Sequence, residues 1–229
     1  DKKEILNELS NHEIDIVFGT HAIFQKKVTF KKLGLIIIDE QHKFGVNQRK
    51  KLSDKGGNDC DVLLMTATPI PRTLTMTIYG DMDLSIIREK PAARKPIKTY
   101  SKLETKIDDV LMFIKKQIEL NNQVFWVCPL IEESKKVDHT SAVKKFEYLS
   151  KAFPNNVGLL HGKTNIEDKE LILNNFLNNK FKILVSTTII EVGIDFPNAN
   201  AIIIENANKF GLSQLHQLRG RVGRGSKQS

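Results

Sequence analysis

Asp39 and Glu40 follow an apolar run, Leu35 to Ile38, and precede Gln41 and His42. Such a run reads as a parallel strand buried on both faces. It would set two carboxylates at its carboxyl end, where open α/β sheets bind ligands. An Asp there can hold Mg²⁺ through water, and a Glu beside it can orient or deprotonate an attacking water. Two acids alone, however, fit a solvated strand end better. A second constellation is QLRGRVGR, Gln217 to Arg224, with three arginines and two glycines. A solvated basic face needs no glycine. A charge clamp does, because the backbone must bring guanidinium forks close to phosphate. Arginines so placed contribute ~10³–10⁵ in rate in nucleotide hydrolases. The string GKT at Gly162–Thr164 imitates a phosphate loop, but Val157 stands where the first glycine of that loop is required.

The elements that must position these groups alternate between strand and helix. A short helix is expected over Asp1–Leu9 and a strand over Ile14–Phe18, delivering Gly19, Thr20 and His21 at its end. After the Leu35–Ile38 strand, Asn47–Asp54 suits a short helix and Gly56–Gly57 a turn. Asp61–Met65 suits another buried strand, ending in Thr66, Ala67 and Thr68. Pro69 and Pro71 open a helix through Leu74 and Ile78. Glu89–Pro96 (EKPAARKP) combines prolines, small residues and charge and reads as a linker. Beyond it, Ile107, Val110, Leu111, Ile114 and Ile118 predict a helix over Lys106–Leu120, capped by Thr105 with Asp108. Strands are expected at Val124–Val127, Val157–Leu160, Ile183–Val185 and Ala201–Ile204. Helices are expected at Ala142–Phe153, at Gln214–Arg219 and from a capping box at Thr164/Glu167 to Asn178. This alternation predicts an α/β fold with parallel sheets. Trp126 and Phe125 fall within a strand and read as core, whereas Phe210 stays open between core and surface.

Composition narrows the class without deciding it. The 229 residues suffice for one large or two modest domains, with 40% hydrophobic and 27% charged residues. The 35 Lys and Arg against 27 acids give +8, compatible with a polyanionic partner but no proof of one. Two cysteines, Cys60 and Cys128, lack metal-ligand spacing, so free thiols in a reducing cytoplasm are expected and a structural metal is not. No apolar run approaches a membrane span. The first residues, DKKE, suggest a piece of something longer.

Read in order, GTH (19–21), DEQH (39–42), TAT (66–68), STT (186–188), GID (193–195) and QLRGRVGR (217–224) resemble the motif series of superfamily 2 helicases of the DExH kind. The longer strings DEQHKFGV, TATPIPRTL, CPLIEES and QLHQLRGRVGRG resemble the RecG-type branched-DNA helicases, from about Gly19 to the last residue. The resemblance implies two RecA-like lobes, the first incomplete at its N-terminal side: residues 1–92 with motifs Ib, II and III, and 93–229 with motifs IV, V and VI. It implies ATP and Mg²⁺ as cofactors, with the metal on Asp39 through water. Catalysis would involve Asp39, Glu40, Gln41, His42, Arg221 and Arg224. Nucleotide contacts would add Gly193, Asp195 and Gln217. Backbone contacts to branched or forked DNA would come from Thr20, His21, His161, Gly162, Thr187 and Thr188, and coupling from Thr66 and Thr68. It further implies a cytoplasmic protein with no membrane partner, and a phosphate loop and branch-recognising wedge upstream. Two other readings stay open: a translocase of the transcription-repair coupling kind, and a non-catalytic nucleic-acid-binding module.

Overall fold

The computed structural model describes residues 2–40, 55–67, 83–89, 94–129, 135–187, 195–225 and 227–229. Gln41, His42, Thr68, Thr188 and Gly193 lie outside the described residues, as do the helices expected at Asn47–Asp54 and after Pro69. The chain divides into two compact units, Asp1–Met82 and Asp83–Ser229.

The first unit opens with helix α1 (Lys2–Asn11) and carries two parallel strands, β1 (Leu35–Ile38) and β2 (Asp61–Leu64). Their apolar alternation buries Ile36 and Ile38 against Ile23, Leu33, Val62 and Leu64. The expectation of a strand buried on both faces is corrected here, since Leu35 and Ile37 are 55% and 56% exposed. A continuous apolar run permits burial on both faces; what covers the second face decides whether it happens. The strand expected at Ile14–Phe18 is also absent, and the segment is irregular with Phe18 exposed. A strand needs a ladder partner, and among the described residues β1 pairs only with β2.

The second unit is built on four parallel strands: β3 (Gln123–Val127), β4 (Val157–Leu160), β5 (Ile183–Ser186) and β6 (Ala199–Ile204), in the order β4-β5-β3-β6. Helices α2 (Ile107–Glu119), α3 (Lys135–Ala152), α4 (Ile166–Leu177) and α5 (Leu212–Arg219) connect or follow them. β3 is interior and buried along its whole length, which is why its sequence, QVFWV, does not alternate. On one face Val124, Trp126, Ile183 and Val185 pack with Ile114 of α2 and Leu149 of α3. On the other, Phe125 and Leu184 pack with Phe176 of α4, Phe196 and Val222. Each such side chain contributes about 1.5–3 kcal/mol on burial.

Two caps differ from expectation. Asn165, not Thr164, caps α4, accepting the Asp168 N–H at 2.7 Å. The Thr164 hydroxyl is engaged by the His161 N–H at 3.1 Å, so the next residue takes over the cap. A 3₁₀ turn, Glu104–Lys106, precedes α2, which starts without a side-chain cap from Thr105. β6 also carries a bulge. Gln123 pairs with Ala199 and Val124 with Ala201, leaving Asn200 as the extra residue.

Candidate functional site

In the first unit the chemistry gathers at the carboxyl ends of β1 and β2. Asp39 and Glu40 follow β1, and the Met65 N–H donates to the Ile38 carbonyl at 2.8 Å, extending the ladder to its last rung. Thr66 therefore emerges beside the two acids. The Glu40 N–H donates to Asp39 Oδ1 at 2.8 Å, closing a tight turn. Glu40 itself sits at φ +50, a left-handed conformation that L residues adopt at a cost of about 1–2 kcal/mol. Strain of this kind collects at functional sites, where the surroundings impose it.

Thr20 and His21 open a 3₁₀ turn, His21–Phe24, closed by the Ile23 N–H on the Thr20 carbonyl at 3.1 Å. A Cβ on Gly19 would run into the Ile23 side chain, which would have to shift to admit it. Sequence reasoning missed Lys55, whose ammonium donates to the carbonyls of Gln25 and Val28 at 2.7 and 2.5 Å. Its partial burial lowers its pKa, and its two bonds pin the end of the loop that carries Thr20.

In the second unit the expected residues divide between the two ends of the sheet. His161 and Gly162 follow β4, and Thr187 follows β5, all at the carboxyl end. His161 Nδ1 accepts the Lys163 N–H at 3.2 Å, so a neutral ring carries its proton on Nε2. Lys163 N–H and the Thr164 hydroxyl thus serve their own turn, unlike the open donors of a phosphate loop. Thr187 is buried and tied to β4 by its N–H on the Leu160 carbonyl at 3.4 Å.

Asp195, Gln217, Arg221 and Arg224 belong to the other end. Asp195 leads into the amino end of β6, and α5 delivers Gln217 before ending at Gly220. The Arg221 N–H donates to the Leu218 carbonyl at 3.0 Å, and the Gly223 N–H to the Ala199 carbonyl at 3.3 Å. The arginine turn is thereby stitched to the first residue of β6. Arg224 reaches Asp195 at 3.5 Å, and its Nε donates to the Gly220 carbonyl at 3.1 Å. The structure thus brings Asp195 and the arginines together and leaves His161 and Thr187 a strand's length away.

A partly buried polar cluster that the sequence did not announce closes the carboxyl end of β3 and β6. Glu205 accepts from Trp126 Nε1 at 3.0 Å, pairs with Lys145 at 2.9 Å and receives the Cys128 thiol at 3.5 Å. Burial, reinforced by Glu205, pushes the Cys128 thiol up to about 12. Asn206, at φ +50, then turns the chain toward α5. Glu205 lies 79 residues from Trp126, too far for any local pattern to pair them.

Among the described residues no group of three or more metal ligands occurs. The pair Asp39–Glu40 nevertheless fits magnesium, which keeps several waters and takes one or two carboxylates alongside substrate phosphates. No helix among the described residues is long and apolar enough to cross a membrane.

Comparison with known proteins agrees with this layout. Residues 105–226 match the helicase conserved C-terminal domain family, and residues 1–77 match the DEAD/DEAH box helicases. The chain is 53% identical over 230 residues to the ATP-dependent DNA helicase RecG of Bacillus subtilis, covering all of this chain and 34% of that protein. It is 49% identical to RecG of Thermotoga maritima, covering all of this chain and 30% of the relative. It thus spans about a third of the length of the curated relatives it matches. A structure of RecG bound to a three-way DNA junction superposes with TM-score 0.69 at 45% identity, covering 98% of this chain and 29% of that one. Mss116p bound to single-stranded RNA and AMP-PNP, 19% identical, shares the fold with TM-score 0.62, covering 100% of this chain and 49% of that one. With RecA-like units of parallel strands and ordered helicase motifs, the chain belongs to the superfamily 2 helicases, and within them to the RecG type.

Proposed function

We propose that this chain is motor machinery of an ATP-dependent DNA helicase or translocase that remodels branched DNA in the cytoplasm. The observation that carries the reading is the Asp39–Glu40 turn, strained at Glu40 and set beside Thr66 at the ends of two parallel strands. We take residues 1–92 and 93–229 as the two lobes. Asp39 would hold magnesium through water, and Glu40 would orient and deprotonate the water that attacks the γ-phosphate. Magnesium, when bound, supplies charge neutralisation on the β- and γ-phosphates. Gln41 and His42 would link the nucleotide to Thr66 and Thr68. From the second lobe, Arg221 would meet the γ-phosphate and Arg224 would serve as the finger, with Gln217, Gly193 and Asp195 alongside. In the structure Arg224 rests on Asp195, a place it would leave as the phosphoryl group develops charge.

The DNA contacts would come from Thr20 and His21 in the first lobe and from His161, Gly162, Thr187 and Thr188 in the second. Backbone N–H groups, hydroxyls and an imidazole N–H suit phosphates, which fix register without reading bases. The buried Thr187 fits this set through its backbone, holding the turn against β4. Branched DNA as the substrate is supported by the junction-bound relative.

Glu40→Gln in the full-length protein tests the reading. The amide keeps the shape but cannot accept the proton, so turnover should fall at least about 100-fold while ATP affinity stays near wild type. A variant that hydrolyses ATP at close to the wild-type rate removes Glu40 from catalysis.

A further inference from the structure

Past Arg224 the chain folds back onto the sheet. Lys227 Nζ donates to Asn122 Oδ1 at 2.8 Å and to the Leu120 carbonyl at 3.2 Å. Asn122 Oδ1 also accepts from Asn200 Nδ2 at 2.9 Å, and Asn200 Oδ1 accepts the Ser229 hydroxyl at 3.3 Å. Both asparagines are buried, and Asn200 is the bulged residue of β6. A bulge re-aims a side chain out of strand alternation, and here it aims an amide at the returning tail. A buried amide left unsatisfied costs about 1–3 kcal/mol, so both asparagines depend on these bonds.

The same tail meets the segment that leads into the unit. The Lys98 N–H donates to the Ser229 carbonyl at 2.9 Å, and Gln228 Nε2 donates to the Pro96 carbonyl. Gly223, at φ +70, packs so closely that a Cβ would lie 3.1 Å from Ile97. The arginine turn is therefore fastened before Arg224, by Gly223 on Ala199, and after it, by Lys227 on Asn122. Neither fastening uses an arginine side chain, so both hold the backbone of the turn without occupying a guanidinium group.

We propose that Asn122, Asn200 and Lys227 form a polar latch that positions the arginine turn, with Asn200 as its centre. They are positioning residues, since none reaches an arginine guanidinium. The functional half of this proposal rests on the reading of Arg221 and Arg224 given above; the geometric half does not.

The test is Lys227→Met in the full-length protein, with Lys227→Arg as the conservative variant. Lys227 is exposed, so its loss leaves the core intact. Amide exchange at Gly223 and Lys98 should quicken by about tenfold or more, the scale of one hydrogen bond to a charged group, while β3 and β5 exchange as before. DNA-stimulated kcat should fall with the KM for ATP and the DNA affinity unchanged, and Lys227→Arg should restore it. Unchanged exchange at Gly223, or an even rise across β3 and β5, overturns the latch. Faster exchange with unaltered turnover also overturns it, provided Arg224→Ala slows turnover. If Arg224→Ala does not, the reading of the arginines falls and the latch stands.

Discussion

Glu40 combines the charge proposed above for catalysis with a backbone that its residue type resists. Asn would take φ +50 more readily, yet neither Asn nor Gly could offer a carboxylate at the same reach. Glu40→Gln leaves that strain in place, so any change in turnover belongs to the lost carboxylate, its charge and its capacity to accept a proton. Cys128 shows the opposite relation, with chemistry suppressed by its surroundings. Its thiol stays protonated to about 12 and is a poor nucleophile, so at pH 8 a thiol reagent should label the half-buried Cys60 well before Cys128. The unfolded thiol releases its proton near 9.0 and the folded thiol only near 12. Over that window the unfolded state gains and the folded state loses, by up to about 1.4 kcal/mol per pH unit. Denaturation followed from pH 8 to 11 should therefore show a steeper loss of stability in wild type than in Cys128→Ala. The two acids and the arginines were legible in sequence because each set is contiguous. Glu205, Asn200 and Lys55 were not, because their partners lie 27 to 79 residues away and only the fold joins them.

Strands and helices of the second unit announced themselves because each carries its own signal, such as the apolar run of Ile183–Val185 or the helical spacing of Ile107, Val110 and Ile114. What failed depended on neighbours. Ile14–Phe18 has the composition of a strand but, among the described residues, no ladder partner, and Leu35 and Ile37 have the composition of core but stay more than half exposed. Glycines make the same distinction testable. Gly223→Ala forces a Cβ into the left-handed region and against Ile97, and should cost about 1–2 kcal/mol of stability in the second unit. Gly162 has nothing within 4 Å of where a Cβ would stand. Gly162→Ala should therefore change stability by less than about 0.5 kcal/mol, yet weaken DNA binding if the backbone approaches a phosphate there. Thermal melts and fluorescence-anisotropy titrations of the two variants, side by side, separate the fold's need for glycine from the ligand's.

Across the second unit, His161 and Thr187 lie at the carboxyl ends of the strands and the arginine turn at the amino end of β6. Strands of four to six residues set roughly 13–20 Å between the two ends. One patch of positive charge cannot serve both, which predicts that the two sets of residues separate experimentally. In the full-length protein His161→Ala should weaken DNA binding by about fivefold without changing the slope of its salt dependence, because a neutral imidazole N–H donates to a phosphate without releasing a counterion. Arg224→Ala should leave both binding and slope alone and lower DNA-stimulated turnover. The opposite pattern would make the arginine turn a DNA patch. The two units also differ in what holds them. Ile36 and Ile38 are the buried centre of the first unit's sheet, against aromatic and aliphatic layers on both faces of the second. The first should yield to heat or protease before the second. Trp126 is the one tryptophan of the chain, and it is buried in the second unit with Lys145 over its ring and Glu205 on its N–H. These 229 residues therefore carry an optical reporter of their own. Fluorescence excited at about 295 nm, where tryptophan alone absorbs, should stay silent while the first unit melts, then shift to the red when β3 comes apart.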